Sequence, residues 1–229
     1  LIEVNSETDF VAKNASFMEF VDCCAKTVAE QNPADVDALL ACQAVGCSDT
    51  VADQLRDKIL TIGENLKIRR FVRYEGDVIT YIHGGGRIGV MAKFDTDLAG
   101  NEGFKAYAKD VAMQIAAANP SYLCESDVPA EVIAKEKEIL TAQAINEGKP
   151  ANIAEKMVNG RINKYFKEVC LLDQPFVKDG DINVAKYTEN TAKELGGKIA
   201  VTGFVRYEKG EGLEKREDNF ADEVASMMK

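Results

Sequence analysis

Apolar and polar positions divide the chain into segments of two periods. Leu1, Ile2 and Val4 follow a strand-like pattern, and a helix-like run extends from the loop after them to about residue 31. Ser6-Glu7-Thr8-Asp9 has the Ser-x-x-acid form of a capping box, which predicts that hydroxyl and carboxylate satisfy free backbone N–H groups at the helix start. Capping does not explain the large aromatic beside it, Phe10. Residues 52–60 read as a helix that Ile62-Gly63 ends, with Gly63 as C-cap, before a strand over Ile68–Tyr74. That reading assigns nothing to Glu64-Asn65. Segments 77–82 and 87–93 read as strands joined by a turn at Gly84–Gly86.

Two internal repeats organise the rest. FVRYE occurs at 71–75 and again at 204–208, each time before a glycine-bearing turn, and its alternation predicts a strand at both places. Phe17 to Pro33 also aligns without gaps on Phe104 to Pro120, matching at Phe17/Phe104, Ala25/Ala112, Ala29/Ala116, Asn32/Asn119 and Pro33/Pro120. A short apolar strand and an acidic loop precede each of these helices. The expected fold is α+β: two related lobes with small, mainly antiparallel sheets and flanking helices.

Between Pro129 and Pro175 the pattern changes. Residues 130–147 are helix formers, NEGKP at 146–150 breaks the helix, and Ala154, Val158, Ile162, Tyr165 and Val169 then form one narrow apolar stripe. Two such helices joined by a short turn predict an antiparallel hairpin, a coiled-coil arm inserted into the second lobe. The expected division is a first core lobe at 1–76, a second at 77–128 and 175–212, the arm at 129–174 and a C-terminal helical module at 213–229. In that last module Phe220, Val224 and Met227 or Met228 form a short stripe that suits packing on its own protein or on a partner helix equally.

Composition narrows the function classes. The 229 residues carry a net charge of −10 with no evident basic patch, which argues against direct nucleic-acid binding. No apolar run approaches the roughly 20 residues needed to span a bilayer, so no membrane association is expected. The chain opens in mid-strand without an initiator Met, which predicts that sequence precedes it and leaves a targeting segment there open. Cys23, Cys24, Cys42, Cys47, Cys124 and Cys170 contain no C-x-x-C pair and the chain has a single His, so no zinc site or other cofactor is expected. Scattered thiols suit structural roles in a reducing cytosol, and the expected location is the cytoplasm.

One segment invites a catalytic reading. His83 is the natural general-base candidate, and Gly84–Gly86 offers backbone N–H groups to a phosphate, as in a small hydrolase or transferase. No P-loop or dinucleotide signature fits these glycines, and no Ser or Cys nucleophile motif accompanies His83. A hairpin turn is the simpler account.

TDFVAKN, IGENLKIRR, HGGGRIGV, GKPANIAEKMVNGR, QPFVKD and a terminal DNFADEVASMM stand in this order. Together they resemble the translation elongation factor Ts family, guanine-nucleotide exchange factors for elongation factor Tu, over essentially the whole chain. The resemblance implies a non-enzymatic factor whose partner is that GTPase. It implies that Asp9 and Phe10, flanked by Thr8 and Val11, wedge into the partner near the Mg²⁺ of its nucleotide, and that Ile62, Gly63 and His83 line the same contact surface. Phe220 and Val224 are further expected partner contacts. Ser6 stands where many members have Cys, and Asn159 replaces the more usual acidic residue before Gly-Arg. The family's N-terminal helical module does not appear in this sequence. Because some relatives dimerise through the core lobes, a homodimer of that kind remains open.

Overall fold

The computed structural model describes residues 1–148 and 150–213, with the side chains at 151, 152 and 154–156 outside that description. Apart from Leu213, the expected C-terminal module, including Phe220 and Val224, lies outside the described residues.

The first lobe runs β1 (Ile2–Asn5), α1 (Asp9–Ala12), α2 (Ala15–Gln31), α3 (Val36–Ala41), α4 (Val51–Ile62) and β2 (Lys67–Phe71). Its core gathers Phe20, Cys24 and Val28 of α2 with Leu39, Val51 and Ile68. The second lobe contains β3 (Asp77–His83), β4 (Ile88–Thr96) and α5 (Glu102–Ala118), then, after the arm, β5 (Pro175–Phe176), β6 (Asp179–Asn183), α8 (Val184–Leu195) and β7 (Ile199–Glu208). β4 is the middle strand of a β3-β4-β7 antiparallel sheet. It is paired on both sides, and Val90, Met91, Ala92 and Phe94 are buried. Phe104, Tyr107, Val111 and Ile115 of α5 fill the core above it. The fold is α+β with small antiparallel sheets.

The arm consists of α6 (Ala130–Asn146) and α7 (Ala151–Val169), which pack along each other. Val158 and Ile162 of the expected stripe are buried, and Ile162, Phe166 and Cys170 form a separate small cluster with Val128. Leu171, just past α7, already belongs to the second lobe's core. Burial pushes the Cys24 thiol up to about 12 and the Cys170 thiol up to about 11, so both stay protonated and pack as small apolar groups. Among the described residues no helix is long and apolar enough to cross a membrane.

Three expectations need correction. FVRYE at 204–208 lies wholly in β7, but of the copy at 71–75 only Phe71 is in a strand. β1 pairs Ile2 with Phe71, and the Val72 N–H donates to the Leu1 carbonyl. The side chains of the first copy join other elements instead: Arg73 donates to the Ala29 carbonyl, and the Tyr74 hydroxyl donates to the carbonyl of Phe204 in the second copy. The first helical run is also not continuous. Asn14 takes an extended backbone and starts α2 afresh, its Oδ1 accepting from Ser16 and Phe17 N–H, which leaves α1 as a separate single turn. Finally, Ser6 and Asp9 do not form a capping box: the cap of α1 is Thr8, and the Ser6 hydroxyl donates to the Thr8 carbonyl.

The lobes meet along a charged seam. The ladder slips between Glu3 and Val4, so Arg69 is an extra residue between partners Arg70 and Ile68. That bulge lets both guanidiniums donate to Glu3, Arg69 at 2.9 Å and Arg70 at 2.6 Å. Burial alone would raise the Glu3 pKa; the bonds from Arg69, Arg70 and Asn5 outweigh it and hold the carboxyl below its ordinary value. The same arginines reach across to Glu211, and Arg70 lies 4.0 Å over the Tyr207 ring.

Candidate functional site

The site begins with a helix that buries nothing. α1 has four residues, none of them buried, and Phe10 is 89% exposed. A chain ordinarily turns such a ring inward, because burying it gains about 2 kcal/mol or more. The side-chain oxygen of Thr8 accepts from the Val11 N–H at 3.4 Å, closing the single turn. Val11 is half-buried, whereas Asp9 points outward to Lys209, whose Nζ donates to Asp9 Oδ1 at 3.0 Å. That bond, with the positive charge behind it, holds the Asp9 carboxyl below its usual range.

The second segment is the end of α4. Gly63 caps it at φ 80, a left-handed conformation natural to glycine, with its N–H on the Ile59 carbonyl. Ile62 is half-buried, and Leu60 two residues earlier is 76% exposed. Lys58 Nζ donates to Ser16 Oγ at 2.6 Å and ties α4 to the start of α2. Immediately past the cap, Glu64 turns back onto the first segment. Its Oε2 accepts from the N–H groups of Glu7 and Thr8 at 3.1 and 3.0 Å, and its Oε1 accepts from the Thr8 hydroxyl at 2.5 Å.

The third segment is the β3-β4 hairpin. Gly84, Gly85 and Gly86 all have positive φ (60, 64 and 97), so the triple glycine is what this turn requires. His83 is exposed beside it, and its Nδ1 lies 3.0 Å from the Tyr81 hydroxyl two residues back on the same strand. Among the described residues no carboxylate or nucleophile hydrogen-bonds to it.

Sheet register joins the three segments. His83 pairs with Ile88 and Ile88 with Glu208, so β3, β4 and β7 end together. Lys209, the next residue, donates its N–H to the Arg87 carbonyl at 2.8 Å and its Nζ to Asp9. Thr8, Asp9, Phe10 and Val11 are therefore linked to Gly63 through Glu64 and to the His83 hairpin through Lys209. Ile82 is 57% exposed on the opposite face of the same strand from His83. Leu60, Ile82, Glu64 and Lys209 are residues that sequence reasoning missed. Leu60 and Ile82 carried no signal of their own, Glu64 stood without a role beside the Gly63 cap, and the partners of Glu64 and Lys209 are remote in sequence. Among the described residues no three His, Cys, Asp or Glu side chains group as metal ligands.

The surface presents an exposed aromatic ring, Phe10, beside a carboxylate paired to Lys209. The family profile described as "Elongation factor TS" matches residues 7–211. Elongation factor Ts of Syntrophotalea carbinolica is 51% identical over 232 residues, covering 100% of this chain and 77% of its own. That of Clostridium perfringens strain 13 is 54% identical over 99% of this chain and 75% of its own, and that of Trichlorobacter lovleyi 47% over 99% and 75%. The chain belongs to the elongation factor Ts family of translation elongation factors.

Proposed function

We propose that this protein is the guanine-nucleotide exchange factor of elongation factor Tu, and that Asp9 and Phe10 form the wedge that loosens GDP. The observation that carries this reading is Phe10, almost fully exposed on a helix with no buried residue. A ring so placed gains nothing in the free protein. Inserted into an apolar pocket of a partner it supplies roughly 2 kcal/mol or more. Thr8 and Val11 flank it, and Ile62, Gly63 and His83 complete the contact surface.

A bound Mg²⁺ is the largest local charge holding a nucleotide's β-phosphate, so disturbing its ligand shell weakens nucleotide binding steeply. In this reading Asp9 faces that ion in the GTPase, exchanging Lys209 for the new site. No bond is made or broken. The factor binds the nucleotide-free GTPase more tightly than the loaded one, and by reciprocity it weakens GDP binding by the same factor. The protein is then not an enzyme in the usual sense, and its working location is the cytoplasm. The division into two core lobes, an arm and a C-terminal module belongs to the same reading; separate buried clusters in the two lobes and at the arm support it.

The deciding experiment follows the release of a fluorescent GDP analogue from purified elongation factor Tu. Wild-type protein should accelerate release without consuming GDP. Phe10→Ala should abolish most of that acceleration while the protein remains folded. GDP hydrolysis or modification would point to the hydrolase or transferase alternative at His83 and Gly84–Gly86. Unchanged release with Phe10→Ala would remove the wedge.

A further inference from the structure

We propose that Glu64 is the positioning residue of the wedge: its carboxylate sets the conformation of residues 7–10 before the partner arrives. The proposal rests on the exchange reading above and adds a residue that does not itself enter the partner. An isolated turn of four residues is unstable in water, because ordering the first turn costs more than its few hydrogen bonds return. To compensate for that cost α1 has only the half-buried Val11 and Ala12. Something outside the helix must hold it, and the described contacts offer two groups. Lys209 binds only the Asp9 side chain, through an exposed ion pair. Glu64 binds the backbone itself.

The geometry is specific. One carboxylate oxygen takes two successive backbone N–H groups, of Glu7 and Thr8, and the other takes the Thr8 hydroxyl. Bonds to an ionised acceptor are about twice as strong as neutral ones. The negative charge also sits at the N-terminus of α1, where it meets the free N–H ends of the turn favourably. Thr8 is thereby fixed as donor to Glu64 and as acceptor from the Val11 N–H, a chain of bonds running from Glu64 into the turn that presents Phe10. Gly63 has a part in this. A Cβ there would meet no neighbour, so the site needs glycine for its backbone and not for space. The left-handed turn at Gly63 aims Glu64 back at residues 7–8.

A wedge that is only fractionally in its binding conformation binds with an affinity reduced by that fraction, while the complex, once formed, is the same. Glu64 should therefore govern how much factor is needed, and not how fast GDP leaves once the factor is seated. Glu64→Ala should speed hydrogen exchange at the Glu7 and Thr8 amides about tenfold and raise the half-saturating concentration for GDP release about tenfold, the equivalent of one lost charge-assisted bond. The rate at saturation should stay within about twofold. Combined with Phe10→Ala, Glu64→Ala should add almost nothing, because both act through one element. Glu64→Gln, which keeps an acceptor oxygen, should restore part of the amide protection and part of the affinity; it also supplies the comparison if Glu64→Ala does not fold. Unprotected amides at Glu7 and Thr8 in the wild type would overturn the proposal. So would freed amides with an unchanged half-saturating concentration, or a loss confined to the saturating rate, which would place Glu64 on the partner itself. A wild-type protein that does not accelerate release would instead overturn the exchange reading, and with it this role, before any variant is compared; the amide protection would still report the clamp.

Discussion

From Asn14 to Asn32, and again from Asn101 to Asn119, the chain builds the same helix. In each case an Asn Oδ1 accepts from the N–H groups two and three residues on, seventeen residues follow, and a left-handed Asn (φ 49 and 47) closes the last turn. The offset is constant, so the preceding residues can be set side by side: Thr8, Asp9, Phe10 and Val11 correspond to Asp95, Thr96, Asp97 and Leu98. There the two lobes part. Asp97 Oδ1 accepts from the Lys198 N–H, and Leu98 packs against the second lobe's core under Gly197. Phe10, in the position of Asp97, stands out in solvent on a turn with no fully buried residue. The two segments share a half-buried residue, Val11 and Leu98, and differ at the position before it, an aspartate bonded to the Lys198 N–H in one lobe and an exposed ring in the other. The exposed ring is not a consequence of the scaffold. It has been arranged, with Glu64 and Lys209 doing from outside what Leu98 does from within.

The largest effects should fall where the lobes agree. Phe17 and Phe104 are both buried at the first turns of the paired helices, so either substitution to Ala should cost about 3–5 kcal/mol, read as a fall in melting temperature. A much smaller cost at Phe17 alone would mean that the first lobe is loosely packed and that the likeness is superficial. The caps come next: Asn14→Ala and Asn101→Ala should each cost about 1 kcal/mol in chemical denaturation, and a clear inequality would show that one helix start is held by something other than its cap.

The seam between the lobes should show in acid. Glu3 has a depressed pKa in the folded protein, so its stabilisation is complete above its ordinary value and is lost as pH falls through and below it. Melting temperature should drop more steeply between about pH 5 and pH 3 in the wild type than in Glu3→Gln, which has nothing to protonate there. Parallel curves would assign the acid sensitivity elsewhere. The smallest effect on stability should come where the lobes differ. Phe10→Asp, which copies Asp97, should leave stability within about 0.5 kcal/mol of the wild type, as for an exposed position, yet remove most GDP-release activity. A substantial loss of stability would show that the ring packs after all.

Much of this was legible in residues close together in the chain. The paired Asn-Pro stops at 32–33 and 119–120, the break at NEGKP and the Gly63 cap all lie at helix ends in the structure. Other elements were hidden by partners that lie elsewhere. The buried face of α8 includes Thr188, a polar residue whose hydroxyl lies 2.7 Å from the hydroxyl of Tyr107, 81 positions away. FVRYE at 71–75 has the composition of a strand, yet its Arg73 and Tyr74 side chains bond to Ala29 and Phe204, which are remote in sequence. Strand identity depends on pairing, which composition does not report.

By itself the sequence determined where α2, α4, α5 and α6 stop, the hairpin turn, the repeated helix and, through its motifs, the family. Each of these rests on groups within a few residues of one another or on residue types in a fixed order. Only the tertiary structure decided that Phe10 faces solvent while Asp97 is tied down. The bonds that hold the wedge join residues far apart: Thr8 and Glu64 are separated by 56 positions, and Asp9 and Lys209 by 200. A helix cap is satisfied by its own neighbours and can be read locally, whereas a clamp exists only once the folded lobes bring its two halves together.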